Sequence, residues 1–512
     1  MDTPLAPEPS PRRFVITNRV LMLCVAATFL SPSLLIAASF RAPAAVAIWA
    51  GGALGLYVLS STTRRSAFLT ERLQSSFFLS CLGLAAALLT LGGETHVFFP
   101  TGDWLIRDAA LGDLSRAPYP PLYEFMGDVY FLRAPLGMYM TPAAVGRLLG
   151  VAAAHGAMLA QNALLIGACF YLFGRLGRGW LTVALFAAFA PLAIPGILAG
   201  MAAIGHPSLE TLRALPLYSL TLDAWNPYFL YPGAVAQMFW APNHSAPAWV
   251  LAILMILHAR GQIGLAAVGI MIALTAFWSP LAILPAVAWL AFSILRDPGH
   301  ELRDRALWLG GFACLGFLPL GILLSVDAGA IQAIAAKERP GLLLLYALWT
   351  PFALWSLIYL VWRRDSVELR LKPLLWMCGT FALVLPFLQF GPYNDLVRRG
   401  ALSCLAIFAF LFAETLADAW RRKDAAFAVG VALAVLMTAS PAFEIARALI
   451  LPTFPISDCH LGEASAAIGT QDPPPNYVAP LASRPDWLLP PFEGAPLRIA
   501  PKRCRPDYGP TG

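Results

Sequence analysis

Long apolar runs separated by short polar segments fill most of the chain. Runs of about 20 residues begin near residue 18 and recur to about residue 442. About 20 apolar residues in a helix cross the hydrocarbon core of a bilayer. The pattern therefore predicts an all-α polytopic membrane protein with about 13 transmembrane helices in a domain of residues 14–442.

Both ends of the chain differ from this pattern. Residues 1–13 are polar and rich in proline, which is typical of a disordered tail. Residues 443–512 form a second Pro-rich segment with few long apolar stretches, which predicts a short or extended tail. The first apolar run lacks a convincing cleavage site, so we expect no cleavable signal peptide.

The apolar stretch 263–295 is interrupted at Trp278-Ser279-Pro280. We interpret it as two short spans joined by a tight turn on the outer side. Proline is tolerated within apolar stretches where the freed backbone groups find other partners. The alternative is one kinked span, which would invert the orientation of everything that follows.

Basic residues fall between the apolar runs, in clusters that this span count places on one side. They are Arg64 with Arg65, Arg175 with Arg178, Arg296 with Arg303 and Arg305, Arg363 with Arg364, and Arg421 with Arg422 and Lys423. Lysine and arginine mark cytoplasmic loops. The pattern predicts a multi-pass protein of the inner (plasma) membrane with a cytoplasmic N-terminus and an extracytoplasmic C-terminal tail.

Composition agrees with a membrane protein and argues against nucleic-acid binding. The 512 residues are 59% hydrophobic and 12% charged, with a mean hydropathy of +0.68. Soluble domains carry about 25% charged residues. The net charge of +6 comes from the short clusters above, so we interpret it as a signal of topology and expect no nucleic-acid partner.

The first large outer loop contains an unusually polar stretch, TGDWLIRDAALGDL. Thr101 is a candidate helix cap, and Asp103 and Arg107 are four residues apart, on one helix face. The prolines at 118, 120 and 121 end the helix. The pattern predicts an amphipathic helix lying at the outer membrane surface. The alternative is a solvated loop helix with an ordinary ion pair.

Three polar motifs lie at the outer ends of apolar runs. They are Asp103 with Arg107, Asn243 with His244, and Asn394 and Asp395 with Arg398 and Arg399. Charged groups at membrane depth are costly unless they are paired or line a polar cavity, so we predict one outer cavity. Alternatively, His244 and Asn243 merely cap a helix, and Arg398 and Arg399 contact lipid phosphates nonspecifically.

These residue types suit group transfer from a phosphate. A carboxylate such as Asp103 can take the proton of an acceptor hydroxyl. The guanidinium groups of Arg398 and Arg399 can hold phosphate oxygens and stabilise the charge of a departing phosphate. The remaining polar residues, Arg107, Asn243, His244, Asn394 and Asp395, are candidate substrate-binding groups. Because free nucleotide sugars are absent outside the cytoplasm, we expect a lipid-linked sugar donor.

Six of the eight cysteines lie in apolar segments, whereas Cys459 and Cys504 lie in the outer tail. An oxidising compartment permits a disulfide between these two, and the alternative is two unpaired thiols. No cysteine or histidine spacing indicates a metal site. We therefore expect no cofactor, and a divalent ion on Asp103 has no supporting ligand set.

The chain resembles the polytopic glycosyltransferases of the GT-C class, in particular poorly characterised bacterial members. The matching segments are TGDWLIRDAALGDL, WAPNH and PYNDLVRR, and the resemblance covers about residues 14–442. It implies transfer of a sugar from a polyprenyl phosphate donor to an extracytoplasmic glycan, lipid or protein acceptor of the cell envelope. It assigns the catalytic acidic position to Asp103, with Asp108 the poorer candidate.

Two other functional classes share many of these signals. A polysaccharide polymerase or ligase would place the same arginine and histidine residues outside. A lipid or solute transporter would have broken spans and usually an internal repeat, and we find no repeat. A purely structural membrane scaffold predicts no clustering of Asp103, His244 and Arg398.

The predicted orientation is testable with reporter fusions. Fusions after Pro120 and Thr470 should both report an extracytoplasmic position, whereas a fusion after Arg422 should report a cytoplasmic one, because basic loops stay inside. The orientation is wrong if Pro120 and Thr470 report opposite sides.

Overall fold

The computed structural model describes residues 15–204, 221–225, 229–330, 335–336, 342–391, 394–469, 473–492, 494–499 and 502–504. About 70% of the protein is helical. The predicted disordered segment 1–13 lies outside the described residues. The helical content and the apolar helices below identify the chain as a mostly helical membrane protein.

The N-terminal half contains nine helices and one hairpin within the described residues. In order they are α1 (Asn18–Ala37), α2 (Ala42–Thr63), α3 (Ala67–Thr70), α4 (Ser75–Leu91), α5 (Asp103–Arg116), strands β1 (Leu122–Phe125) and β2 (Asp128–Leu132), α6 (Gly137–Leu149), α7 (Val151–Leu176), α8 (Trp180–Ala188) and α9 (Ala193–Ile204). The predicted span 180–203 is interrupted at residues 189–192, where Pro191 cannot donate a backbone hydrogen bond.

The middle of the chain continues with α10 (Ala234–Trp240), α11 (Pro242–Ala259), α12 (Leu265–Ala276), α13 (Leu284–Arg296), α14 (Pro298–Glu301), α15 (Arg305–Leu315), α16 (Leu318–Ser325), strand β3 (Ala335–Ala336), α17 (Leu342–Ala353), α18 (Trp355–Trp362) and α19 (Lys372–Val384). The apolar stretch 263–295 forms two separate helices, α12 and α13. Residues 277–283 connect them, and this connection contains the predicted break at Trp278-Ser279-Pro280.

The remaining elements are strand β4 (Leu388–Gln389), α20 (Asp395–Gly400), α21 (Leu402–Arg422), α22 (Ala426–Met437), α23 (Ala439–Ile450), α24 (Leu461–Ala467), and strands β5 (Val478–Pro480) and β6 (Leu497–Arg498). Helix α23 continues to Ile450, eight residues beyond the predicted end of the membrane domain at residue 442. The segment PAFEIARALI retains helical apolar spacing despite its charged residues, so the last helix extends past the predicted boundary, which stays a prediction.

Seven helices or helix pairs in the described residues are long and apolar enough to cross a membrane. A bent pair, α15 with α16, raises this number to eight. Three shorter apolar helices, α4, α12 and α13, do not meet the length criterion. The expected total of about 13 spans exceeds this count, because several predicted spans are short or interrupted helices.

Helices α11 and α21 lie in the centre of the membrane domain and pack against each other. Every residue of α11 from Pro242 to Leu257 is buried. A helix that is apolar on all sides is stable only when neighbouring helices surround it. The N-terminal ends of these two helices therefore have fixed positions, and the predicted motifs at Asn243 and Arg398 lie beside them.

Helix α5 lies inside the protein rather than on the membrane surface, so the prediction of a surface amphipathic helix is wrong. All residues from Trp104 to Ser115 are buried, against α6, α7 and α24. The Trp104 indole donates to the carbonyls of Gly92 and Phe239, at 2.9 and 3.1 Å. The buried charged side chains Arg107, Asp108 and Asp113 each bond to a polar group of another segment, which offsets their desolvation.

The start of α5 also differs from the prediction. The helix begins at Asp103, and the residue before it, Gly102, makes no side-chain cap. The Thr101 hydroxyl, predicted as the cap, is buried without a hydrogen-bond partner among the described residues. Asp103 nevertheless occupies the first turn, where a negative charge interacts favourably with the helix dipole.

A small sheet joins the segment between α5 and α6 to the C-terminal tail. Its strand order is β5-β2-β1-β6. Strands β1 and β2 form an antiparallel hairpin, with Tyr123 opposite Tyr130, and β5 pairs antiparallel with β2. Strand β6 pairs parallel with β1. The tail is therefore folded onto the hairpin, and its helix α24 covers part of α5.

Two further contacts fix this tail. Cys459 and Cys504 form a disulfide, which closes the segment between them. The Asp113 carboxylate on α5 accepts hydrogen bonds from the Tyr123 hydroxyl at 3.0 Å, from the Leu461 backbone N–H at 3.0 Å and from His460 Nδ1 at 2.6 Å. One buried carboxylate thus connects the hairpin, helix α5 and the start of α24.

Substitution of Asp113 by alanine should loosen the tail. Each buried donor left without a partner costs about 1–3 kcal/mol. We expect a lower melting temperature and several-fold faster proteolysis between residues 451 and 504. Asp128→Ala, at an exposed position in the same hairpin, is the matched control and should behave like the parent. Equal proteolysis of both variants and the parent would contradict this role of Asp113.

Candidate functional site

One cavity of about 170 Å³ lies where three distant segments of the chain meet. Five residues from the three predicted motifs line it: Asp103, His244, Asp395, Arg398 and Arg399. The remaining lining residues are Thr221, Asp223, Leu230, Pro232, Ala236, Gln237, Trp240, Ala241 and Leu402. The wall is thus apolar on the side of residues 230–236 and charged on the side of α5 and α20.

Asp103 stands at the first turn of α5, with its side chain about half exposed, at 47%. Only one of its carboxylate oxygens, Oδ2, accepts a hydrogen bond within the described structure, from Arg107 Nη2 at 3.3 Å. The other oxygen therefore remains available toward the cavity. This geometry leaves Asp103 able to accept a proton or a hydrogen bond from a bound molecule.

Arg107 is buried and does not line the cavity. Its guanidinium donates to Asp103, to Asn243 Oδ1 at 2.9 Å, and to the Trp240 backbone carbonyl. Three of its five N–H groups are thus bonded to the protein itself. The sequence suggested a substrate-binding role for Arg107, whereas in the structure it connects Asp103 to the start of α11.

Asn243 and His244 lie in the first turn of α11. Asn243 accepts the bond from Arg107, and its amide lies 3.3 Å from the His244 ring. His244 lines the cavity, and its Nδ1 lies 2.8 Å from the Ser279 hydroxyl. Ser279 belongs to the break between α12 and α13. The interrupted apolar stretch was visible in the sequence, but its contact with His244 was not predicted.

The segment Asn394–Arg399 forms the opposite wall. Asn394 has a left-handed backbone (φ 51°), and its side chain bonds to the backbone of Phe390 and Leu388. It therefore shapes the turn before α20 and does not line the cavity. Asp395 lies 3.2 Å from Arg399, one helical turn away. Arg399 is therefore held in place by a carboxylate that also faces the cavity.

Several cavity residues were not predicted from the sequence. Asp223 is buried, and its carboxylate accepts hydrogen bonds from Gly233 N–H at 2.7 Å and from the Ser440 hydroxyl at 2.5 Å. Burial raises the pKa of Asp223 to about 7. In the sequence, Asp223 is one polar residue in the stretch 204–243, which is rich in proline, tyrosine and tryptophan, and this alone does not single it out.

Trp240 is another cavity residue that the sequence analysis missed. Its indole N–H donates to Glu444 at 3.1 Å, and Arg447 lies over its ring at 4.8 Å from the centroid. Glu444 and Arg447 also pair with each other on α23. These contacts fix the indole as a rigid wall, and the same residue supplies the carbonyl that binds Arg107.

Asp108, the poorer catalytic candidate, lies away from the cavity. It is 1% exposed and bonds to His96. Among the residues that the structure describes, no group of three or more histidine, cysteine or acidic side chains is arranged to hold a metal ion.

Comparison with known proteins does not place the chain in a family. No family model, no curated protein and no solved structure matches it. The functional assignment therefore depends on the geometry of the cavity.

The raised pKa of Asp223 gives a testable pH dependence. Because folding raises the pKa of Asp223, its protonated form stabilises the folded protein relative to the unfolded chain. This stabilisation is complete below the pKa of the unfolded chain, near 4, and is lost as the pH rises to about 7. Asp223→Asn should remove this loss, which amounts to at most about 1.4 kcal/mol for each pH unit. The difference in unfolding free energy between variant and parent should therefore shift in favour of the variant between pH 4 and pH 7. A difference that does not vary with pH would rule the explanation out.

Proposed function

We propose that this protein is a membrane glycosyltransferase of the GT-C type, with about 13 spans, that uses a polyprenyl phosphate sugar as donor. The observation that supports this proposal is the single cavity lined by Asp103, His244, Asp395, Arg398 and Arg399. A purely structural scaffold gives no reason for carboxylates and guanidinium groups from three distant segments to face one space.

In this proposal Asp103 is the general base. Its half-exposed carboxylate has an oxygen free to take the proton of an acceptor hydroxyl, while Arg107 fixes its orientation. Arg398 and Arg399 hold the donor phosphate and stabilise its charge as the bond to the sugar breaks. Asp395 holds Arg399, and His244, fixed by Ser279, binds a sugar or acceptor hydroxyl.

The cavity size limits what it holds. Pockets for whole drug-sized ligands measure about 300–1,000 Å³. A space of about 170 Å³ accepts one small group, such as a phosphate or a single sugar ring. The polyprenyl chain of the donor would therefore lie outside the cavity, among the membrane lipids, and the acceptor would enter from the outer side.

A specific observation favours a transporter as the second candidate. Helix α12 ends and helix α13 begins at a break in the apolar stretch. Ser279 in this break bonds to the cavity residue His244. Transporters bind substrates at such interrupted helices. In this alternative the same cavity would bind a phosphorylated lipid or solute without bond cleavage. A polymerase or ligase would use the cavity as proposed above and differ only in its acceptor.

The Asp103→Asn variant tests whether Asp103 is the general base. The variant keeps the shape and the bond from Arg107 but cannot take a proton, so sugar transfer from a labelled polyprenyl phosphate hexose should fall about 10²–10⁴-fold. Its melting temperature should stay near that of the parent. Arg399→Lys keeps the charge but loses the planar fork, so the apparent affinity for the donor should fall.

The matched control is Asp128→Asn, an exposed carboxylate outside the cavity. If Asp103 only pairs with Arg107, then Asp103→Asn and Arg107→Gln should both lower the melting temperature, and the surviving protein should transfer sugar normally. Full transfer by a correctly inserted Asp103→Asn variant would refute the proposed base. Transport of the labelled lipid into vesicles without hydrolysis or transfer would favour the second candidate.

A further inference from the structure

A second cluster of polar side chains lies next to α5 and outside the cavity. It contains His96 and Glu94 from the loop between α4 and α5, Asp108 from α5, and His155 from α7. All four are buried, with exposures between 0% and 8%. The proposed glycosyl transfer uses none of them.

Both ring nitrogens of His96 face hydrogen-bond acceptors. Nδ1 lies 2.7 Å from the Phe454 backbone carbonyl oxygen, and Nε2 lies 2.7 Å from Asp108 Oδ2. A neutral imidazole has only one N–H, and an ionised carboxylate only accepts. Two such short contacts therefore require an additional proton. Either His96 is an imidazolium that donates to both oxygens, or Asp108 is protonated and donates to Nε2.

We propose that His96 and Asp108 form a buried proton-binding site that holds the outer tail onto helix α5. The ligand of this site is one proton, shared between an imidazole and a carboxylate. After loss of the proton, one ring nitrogen of His96 faces an acceptor at 2.7 Å with no proton between them. This weakens the contact of His96 either with Asp108 on α5 or with the Phe454 carbonyl of the tail. The inference is independent of the proposed sugar transfer.

The loop that carries His96 also binds the start of the tail. The Thr453 hydroxyl donates to the His96 carbonyl at 2.6 Å, and Phe99 N–H donates to the Ala448 carbonyl at 3.2 Å. His96 itself has a left-handed backbone, with φ 55°. This conformation is uncommon for residues other than glycine, so the surrounding contacts must hold it.

Other charged and titratable groups surround the pair. His155 Nδ1 lies 3.8 Å from Asp108 Oδ1, and Glu94 accepts a hydrogen bond from Asn162 at 2.8 Å. Arg107 interacts electrostatically with Glu94, Arg116 with His155, and Tyr139 with Asp108. Asp108 Oδ1, Glu94 Oε2 and both His155 nitrogens are buried without hydrogen-bond partners among the described residues. Such atoms commonly bind ordered water, which would give a proton access to the pair.

The electrostatics agree with proton binding near neutral pH. Burial lowers the pKa of His96, but the hydrogen bond and the charge of Asp108 outweigh it and leave the pKa raised. Burial raises the pKa of neighbouring Glu94 to about 8, so Glu94 adds little negative charge at neutral pH. The stabilisation from the His96–Asp108 pair is complete below the ordinary histidine pKa, near 6.5. It is lost as the pH rises through the raised pKa of His96.

The direct test is nitrogen-15 NMR of the full-length protein with labelled histidine, in which the signals of the seven histidines are assigned by single substitutions. At pH 7 the parent should show His96 either as an imidazolium or as an Nδ1–H tautomer with a protonated Asp108 carboxyl. A neutral His96 beside an ionised Asp108 at this pH would overturn the proposal.

The Asp108→Asn variant removes the need for the shared proton but keeps a hydrogen bond to His96 Nε2. The asparagine amide can donate to Nε2, so a neutral His96 with a proton on Nδ1 satisfies both of its neighbours. The equilibrium constant for opening of the tail is obtained from hydrogen exchange of residues 448–454, divided at each pH by the intrinsic exchange rate of the unfolded chain. In the parent it should increase about tenfold per pH unit above the raised pKa. In Asp108→Asn this pH dependence should disappear, and an unchanged dependence would refute the site.

The matched control is the second histidine–carboxylate pair of the tail, His460 with Asp113. The His460 side chain is 30% exposed, so its second ring nitrogen can reach water and no additional proton is required. Asp108→Asn should therefore leave the His460 NMR signals at their parental positions. If Asp108→Asn does not fold, the NMR measurement on the parent alone decides the proposal.

Discussion

The buried guanidinium of Arg107 is the contact on which the candidate site depends. It joins the first turn of α5 to the first turn of α11 by bonding Asp103, Asn243 and the Trp240 carbonyl. A buried cation is stable only where acceptors surround it, so the three acceptors and the arginine must assemble together. Because Arg107 bonds to Asp103 on one side and to Asn243, the neighbour of His244, on the other, it limits the distance between Asp103 and His244. The cavity is therefore a consequence of satisfying one buried charge.

Burial of α5 has the same physical origin. The helix carries Arg107, Asp108 and Asp113 at positions that face different neighbours, and each of these side chains bonds to another segment. Asp108 bonds to the preceding loop and Asp113 bonds to the tail. A helix without a distinct apolar face is therefore enclosed between these two segments. The tail completes this arrangement through its disulfide and its strands β5 and β6. These polar contacts add to the apolar packing of α5, the hairpin and the tail, whose buried residues belong to the same hydrophobic core as the long apolar helices.

The sequence predicted the features that depend on local composition. Apolar runs gave the helices and the membrane class, and the interrupted run at Pro280 gave two separate helices. The position of α5 could not be predicted, because part of its surroundings, α24 and the residues before it, lies about 350 residues later in the chain. Asp223 and Trp240 were missed for the same reason: their partners Ser440 and Glu444 lie about 200 residues away. Asp103, His244 and Arg399 could be found because charge beside an apolar run is visible locally.

The charge balance of the cavity constrains any ligand. Arg398 and Arg399 face Asp103 and Asp395, and Arg399 is already paired with Asp395 at 3.2 Å. An anionic ligand must therefore compete with Asp395 for Arg399, and it gains less than it would from an unpaired guanidinium. Such a site favours a ligand that brings both a phosphate for the arginines and hydroxyl groups for the carboxylates. A sugar phosphate has both groups, whereas a simple phosphate has only the first.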